Sequence, residues 1–203
     1  MRVKVCGITR YEDARLALDR GAWAVGFVFW PRSPRRVDAG QAAAIVRRLP
    51  PETLAVGVFV DAPIEEVRET AAVVGLRGIQ LHGSEPPSYA SSLGVGTVIK
   101  AFRVGPDFDD RTIDVYPDCL VLLDAGRPGA PGGTGCAFDW SVARKVQERR
   151  PIILAGGLTP ENVRAAIDEV RPEGVDVASG VEARPGEKDP VKLEKFFAEI
   201  ADT

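Results

Sequence analysis

PIILAGGLTPENV, residues 151–163, reads as a strand, a glycine-bearing bend and the start of a helix. The run PIILAG (151–156) is short and apolar throughout, which suits a strand covered on both faces. Gly156 and Gly157 break it, and Thr159-Pro160-Glu161 opens a helix running to about residue 170. Proline is tolerated in a first helical turn, where its missing N–H is not needed.

The same joint recurs in both directions along the chain. Strands are expected at 2–6, 23–29, 54–60, 76–81, 97–102, 119–124, 151–156 and 175–180. Helices are expected near 11–20, 38–48, 62–74, 86–92, 108–115, 139–149, 159–170 and from Asp189-Pro190 onward. Strand starts lie about 20–30 residues apart, the length of a strand, a helix and two loops. Eight such alternations imply parallel strands with helical crossovers, an α/β architecture. An open doubly wound sheet and a closed eight-stranded barrel both fit that order. Eight units in just over 200 residues favour the lean (β/α)8 barrel, a single domain over residues 1–203.

Bulk properties narrow the function. The 203 residues are 45% hydrophobic and carry 26 basic against 29 acidic side chains, a formal net charge of −3. That balance, with no long run of either sign, argues against a nucleic-acid or anionic-membrane partner, which would call for a basic face. No apolar run is long enough to span a bilayer. The start MRVKVCGIT has a charge inside its apolar stretch and no long h-region, which argues against a signal peptide. Cys6, Cys119 and Cys136 are an odd set with no CxxC spacing, and there is one histidine. Disulfide frameworks and metal sites therefore fit poorly, and a reducing cytoplasm fits best.

Polar residues inside buried strands carry the next signal: Lys4, Cys6, Gln80, His82, Lys100, Asp124 and Asp176. Alternation puts Lys4 with Cys6 on one face, and Gln80 with His82. Cys6, His82 and Asp124 close their strands at the carboxyl ends, where barrel active sites lie. Each has a plain structural alternative. Buried cysteine is usually a small hydrophobe, a strand-end aspartate is often a cap, and a lysine can snorkel. Cys119 opens its strand at the opposite end and Cys136 lies in a loop, so the structural reading holds for both.

Glycine clusters follow the late strands: GGTG (132–135), AGGL (155–158) and ASGV (178–181). Glycine lets backbone N–H groups approach an anion, and barrels commonly hold phosphate after strands seven and eight. A phosphate-bearing small molecule is the favoured partner. Neither a P-loop nor GxGxxG is present, so nucleotide cofactors find no support. In WPRSPRRVD (30–38), arginines lie on a proline-braced loop. Such a loop can be a solvated surface or can fork a carboxylate, and composition does not decide.

Taken together, KVCGIT, GFVFWPRSPR, VGVFVD, IQLHG, LLDA, GGTG with FDW, LAGGLTPENV and DVASGVE resemble the phosphoribosylanthranilate isomerases in order and spacing over the whole chain. The resemblance implies a TIM barrel of the ribulose-phosphate-binding type with no cofactor and no metal. It also implies an aldose–ketose isomerase of tryptophan biosynthesis, a cytoplasmic monomer or homodimer. Such an enzyme converts N-(5-phosphoribosyl)anthranilate to 1-(2-carboxyphenylamino)-1-deoxyribulose 5-phosphate by an Amadori rearrangement.

By the same resemblance Cys6 is the general base and Asp124 the general acid. Arg35 meets the anthranilate carboxylate, with Arg36 directly beside it. Gly133, Gly135, Gly156, Gly157, Ser179 and Gly180 form the phosphate cradle. Lys4, Gln80 and His82 belong to the pocket without an assigned step, although a Lys4 ammonium near Cys6 would lower the thiol's pKa. Alternatives are another phosphosugar barrel enzyme (an epimerase, a decarboxylase or the histidine-pathway aminoaldose isomerase) or a non-catalytic phosphoribosyl-ligand binder.

Overall fold

The structure is a computed structural model that describes residues 1–105, 107–124 and 140–201. Eight parallel strands close into a barrel in chain order: β1 (Arg2–Cys6), β2 (Ala24–Val28), β3 (Leu54–Phe59), β4 (Gly78–Leu81), β5 (Thr97–Arg103), β6 (Leu120–Asp124), β7 (Ile152–Ala155) and β8 (Gly174–Val177). Helices α1 (Tyr11–Asp19), α2 (Ala39–Val46), α3 (Ile64–Val74), α4 (Pro87–Ser91), α5 (Trp140–Arg149), α6 (Val163–Val170) and α7 (Pro190–Ala201) complete the alternation. Local chemistry fixes several ends. Asp38 and Gln41 form a reciprocal capping box on α2, and Gly75, at φ 78°, closes α3 in the left-handed conformation.

Two apolar clusters sandwich the strands. The outer one joins the sheet to its helices through residues such as Val5, Phe27, Ile79, Leu123 and Val175. The inner one fills the barrel with Ala24, Val56, Ile99, Ala101, Leu122, Ile153 and Ala155. Register confirms the layering, because Ala101 pairs with Leu122 and Leu122 with Ile153. On one side of this interior the apolar pattern gives way to charge. Lys4 pairs in register with Ala24 of β2 and with Asp176 of β8. Because all eight strands run the same way, Cys6 and Asp124 both end at one rim.

Two expected elements need correction, and two further features were not foreseen. Residues 108–115 do not form an α-helix; Asp110–Val115 is a 3-10 helix. Thr112, Ile113 and Val115 are poor helix formers, and Pro117 follows at once. Arg150 ties this segment down by donating to the carbonyls of Ile113 (2.8 Å) and Cys119 (2.6 Å). The eighth strand stops at Val177, and Ser179–Val181 is a 3-10 turn. Beyond it lies an unforeseen antiparallel hairpin, β9 (Glu182–Arg184) and β10 (Glu187–Lys188). Lys100, finally, takes neither of the two courses open to it, the barrel interior or the solvent. Its neighbours Ile99 and Ala101 face inward, so it points outward, where its ammonium meets the loop between β4 and α4, 2.9 Å from Glu85 Oε2 and 2.6 Å from the Gly83 carbonyl. Among the described residues, no helix is long and apolar enough to cross a membrane.

Candidate active site

At the carboxyl rim a cavity of about 1270 Å³ opens, lined among others by Cys6, Arg35, Gln80, His82, Asp124 and Ser179. That exceeds the roughly 300–1,000 Å³ of ordinary small-molecule sites, so an extended ligand can lie across the barrel mouth.

Cys6 sits on the β1 side of this cavity, with Lys4 one layer beneath. The fully buried Lys4 Nζ lies 3.1 Å from both carboxylate oxygens of Asp176. Gly26, in register with Cys6, leaves room for both side chains: a Cβ there would stand 2.9 Å from Sγ and 3.1 Å from Nζ. Burial pushes the Cys6 thiol up from its ordinary pKa; Lys4 pulls it down and Asp176 pushes it up again. The net direction is upward. Lys4 therefore opposes the shift as its charge demands, but does not reverse it. The ammonium's nearest charge is Asp176, which together with the thiol holds the Lys4 pKa above its ordinary value against the pull of burial.

Asp124 ends β6 across the cavity. The His82 ring Nε2 lies 3.1 Å from Asp124 Oδ2, and the Gln80 amide nitrogen lies 3.2 Å from His82 Nδ1. Donation from Gln80 to Nδ1 leaves the ring proton on Nε2, where it donates to the Asp124 carboxyl; this tautomer is assigned from the bonding pattern. Gln80 is buried, and its Oε1 has no partner among the described residues. His82 thus orients the strand-six carboxyl, a relationship that its place after β4 did not disclose.

Arg35 enters from the loop after β2. It passes so close to Gly7, whose φ is +77°, that a Cβ on that glycine would meet the arginine chain 2.5 Å away. Its Nε lies 2.8 Å from Glu182 Oε1 and its Nη2 lies 2.7 Å from Oε2, a bidentate pair. The Glu182 carboxylate also accepts from Lys188 Nζ at 3.0 Å and from the Gly186 N–H at 3.2 Å. Burial alone would raise the Glu182 pKa, but Arg35 and Lys188 outweigh it and hold the carboxyl below its ordinary range. Arg36 is exposed and does not line the cavity. Neither Glu182 nor Lys188 was singled out from the sequence. Glu182 ends the ASGVE run, but nothing in its spacing points to an arginine 147 positions away.

The glycine loops meet on the β7–β8 side. Gly156 (φ +93°) and Gly157 (φ +67°) adopt conformations that favour glycine, and both line the cavity beside Ser179. Gly180 does not line it. A Cβ there would overlap the Leu158 carbonyl, so this glycine lets the β8 loop press against the β7 loop. Gly133, Gly135 and Cys136 lie outside the described residues.

A family model described as N-(5'phosphoribosyl)anthranilate (PRA) isomerase matches residues 3–199. The N-(5'-phosphoribosyl)anthranilate isomerase of Desulforudis audaxviator is 51% identical over 197 residues, covering 96% of this chain and 95% of its own. The solved phosphoribosyl anthranilate isomerase of Thermotoga maritima aligns over 100% of both chains with a TM-score of 0.92 and 43% identity. Another solved isomerase, with a TM-score of 0.88 at 41% identity over 100% of both chains, is complexed with reduced 1-(o-carboxyphenylamino)-1-deoxyribulose 5-phosphate.

Proposed function

The chain belongs to the N-(5'-phosphoribosyl)anthranilate isomerase family of tryptophan biosynthesis and is an isomerase, and we propose that Cys6 and Asp124 are the groups that move its protons. The observation that carries this reading is that thiol and carboxyl, from β1 and β6, line one cavity. The substrate is an anilino ribofuranose 5-phosphate. Asp124, as the acid, gives a proton to the ring oxygen while the C1–O bond breaks and the nitrogen lone pair forms C1=N⁺. The cation acidifies the C2 proton, which Cys6 removes as thiolate; the C–H electron pair forms C1=C2 and the nitrogen recovers its own. The enolamine then takes a proton at C1 and releases one from its hydroxyl to become the ketone.

The burial-raised thiol pKa fits this order. In the ligand-free protein the thiol holds its proton, and once the ring has opened the adjacent substrate cation favours the thiolate, the thiol's proton leaving to water at the open cavity mouth. Arg35 would hold the anthranilate carboxylate, and the loops at Gly156, Gly157 and Ser179, with GGTG, would hold the phosphate. The partner is then a phosphorylated small molecule, met in the cytoplasm by a monomer or homodimer.

Loss of substrate fluorescence measures turnover. Cys6→Ala and Asp124→Asn should each lower it by at least about 10²-fold with the fold intact. Near-normal turnover in either variant would remove that residue from the reaction.

A further inference from the structure

The Arg35 guanidinium has two faces that can fork a carboxylate. Its Nε/Nη2 edge is occupied by Glu182, while Nη1 has no acceptor among the described residues. An incoming carboxylate must therefore use the Nη1 side and approach a group already paired with an anion. Arg35 and Glu182 alone sum to zero charge, and such a pair offers a second carboxylate little attraction. Lys188 changes that sum. Its buried ammonium donates to Glu182 Oε1 at 3.0 Å, the Cys6 carbonyl at 2.7 Å and the Ala178 carbonyl at 3.0 Å. Three donors with three acceptors is the complete arrangement for a charged ammonium.

We propose that Lys188 is a positioning residue that balances Glu182, so that Arg35 presents a net positive charge to the cavity and the site prefers ligands with an aryl carboxylate. This rests on Arg35 as the carboxylate anchor. The cluster Arg35, Glu182 and Lys188 carries one net positive charge, and little solvent reaches it to screen that charge: Arg35 is 21% exposed, Glu182 3% and Lys188 not at all. Lys188 also binds the carbonyl of Cys6, so the same ammonium sets the anchor and the thiol in one frame.

The test uses the full chain and two inhibitors, reduced 1-(o-carboxyphenylamino)-1-deoxyribulose 5-phosphate and its counterpart lacking the carboxyl group. Lys188→Met should weaken the carboxylated inhibitor by about tenfold or more and its counterpart by less than about threefold. Glu182→Gln/Lys188→Met should regain most of the preference, because Arg35 is then again uncompensated. Glu182→Gln alone, which keeps the side chain's shape, should retain or strengthen the preference. Equal weakening of both inhibitors in Lys188→Met, or a double variant worse than the single, would overturn the proposal in favour of a packing role. Should Lys188→Met fail to fold, a lost preference in Glu182→Gln overturns it equally. Arg35→Met separates the premise: an unchanged preference there refutes the anchor itself, whereas a preference lost there but kept in Lys188→Met refutes only the charge balance.

Discussion

Lys4 and Asp176 stand opposite each other in register on β1 and β8, the ammonium 3.1 Å from both carboxylate oxygens, inside a barrel filled largely by apolar side chains. A pair so enclosed tolerates the loss of both charges far better than the loss of one. Lys4→Met should destabilise the chain by about 3–5 kcal/mol, and Lys4→Met/Asp176→Leu should recover most of that. Urea unfolding of the two variants checks it; equal losses would mean that the pair is not coupled.

The thiol gives a prediction in pH. A free cysteine titrates near ~8.5, and burial holds Cys6 above its ordinary value. The rate of Cys6 alkylation in the ligand-free protein should therefore keep rising with pH beyond the midpoint of a free thiol. Iodoacetamide labelling of Cys6, followed by peptide mass, reads the profile. A plateau below that midpoint would show that Lys4 prevails over burial.

Glu182 gives a second pH dependence with the opposite ionic form. Its folded pKa is depressed, so its contribution to stability is complete above the unfolded value of ~4.3 and is lost as pH falls through the folded value. Urea midpoints between about pH 5 and 3 should fall less steeply in Glu182→Gln than in the parent. Parallel slopes would place the acid-sensitive carboxyl elsewhere.

Gly26 is required for space rather than for its backbone angle. Gly26→Ala would press a methyl group against Cys6 Sγ and Lys4 Nζ, at a cost of about 1–3 kcal/mol. Thermal unfolding together with Cys6 alkylation reads both effects. An unchanged melting temperature and labelling rate would show that both side chains can move aside.

The barrel was legible because short apolar runs and helix openings recur at one spacing, and Cys6, His82 and Asp124 were legible as polar residues where an apolar strand should end. Lys100 was not. With both faces of a strand buried, a polar residue signals an exception without saying toward which layer, and only the inward packing of Ile99 and Ala101 resolves it. The hairpin at 182–188 was missed because its strands are too short to show alternation. Glu182 and Lys188 were missed for a related reason: a salt bridge between distant segments leaves no periodic trace. Burial dominating Lys4 at Cys6 is likewise a three-dimensional balance that charge proximity along one strand could not weigh.

The proposed chemistry requires that sulfur and carboxyl address the same sugar. A crystal structure of this chain with reduced 1-(o-carboxyphenylamino)-1-deoxyribulose 5-phosphate should place Cys6 Sγ against C2 and an Asp124 carboxyl oxygen within hydrogen-bonding reach of the hydroxyl at C4, the former ring oxygen. The carboxyphenyl group should point to Arg35. An inhibitor bound with C2 facing away from the thiol, or with Asp124 touching only the aryl ring, would contradict it.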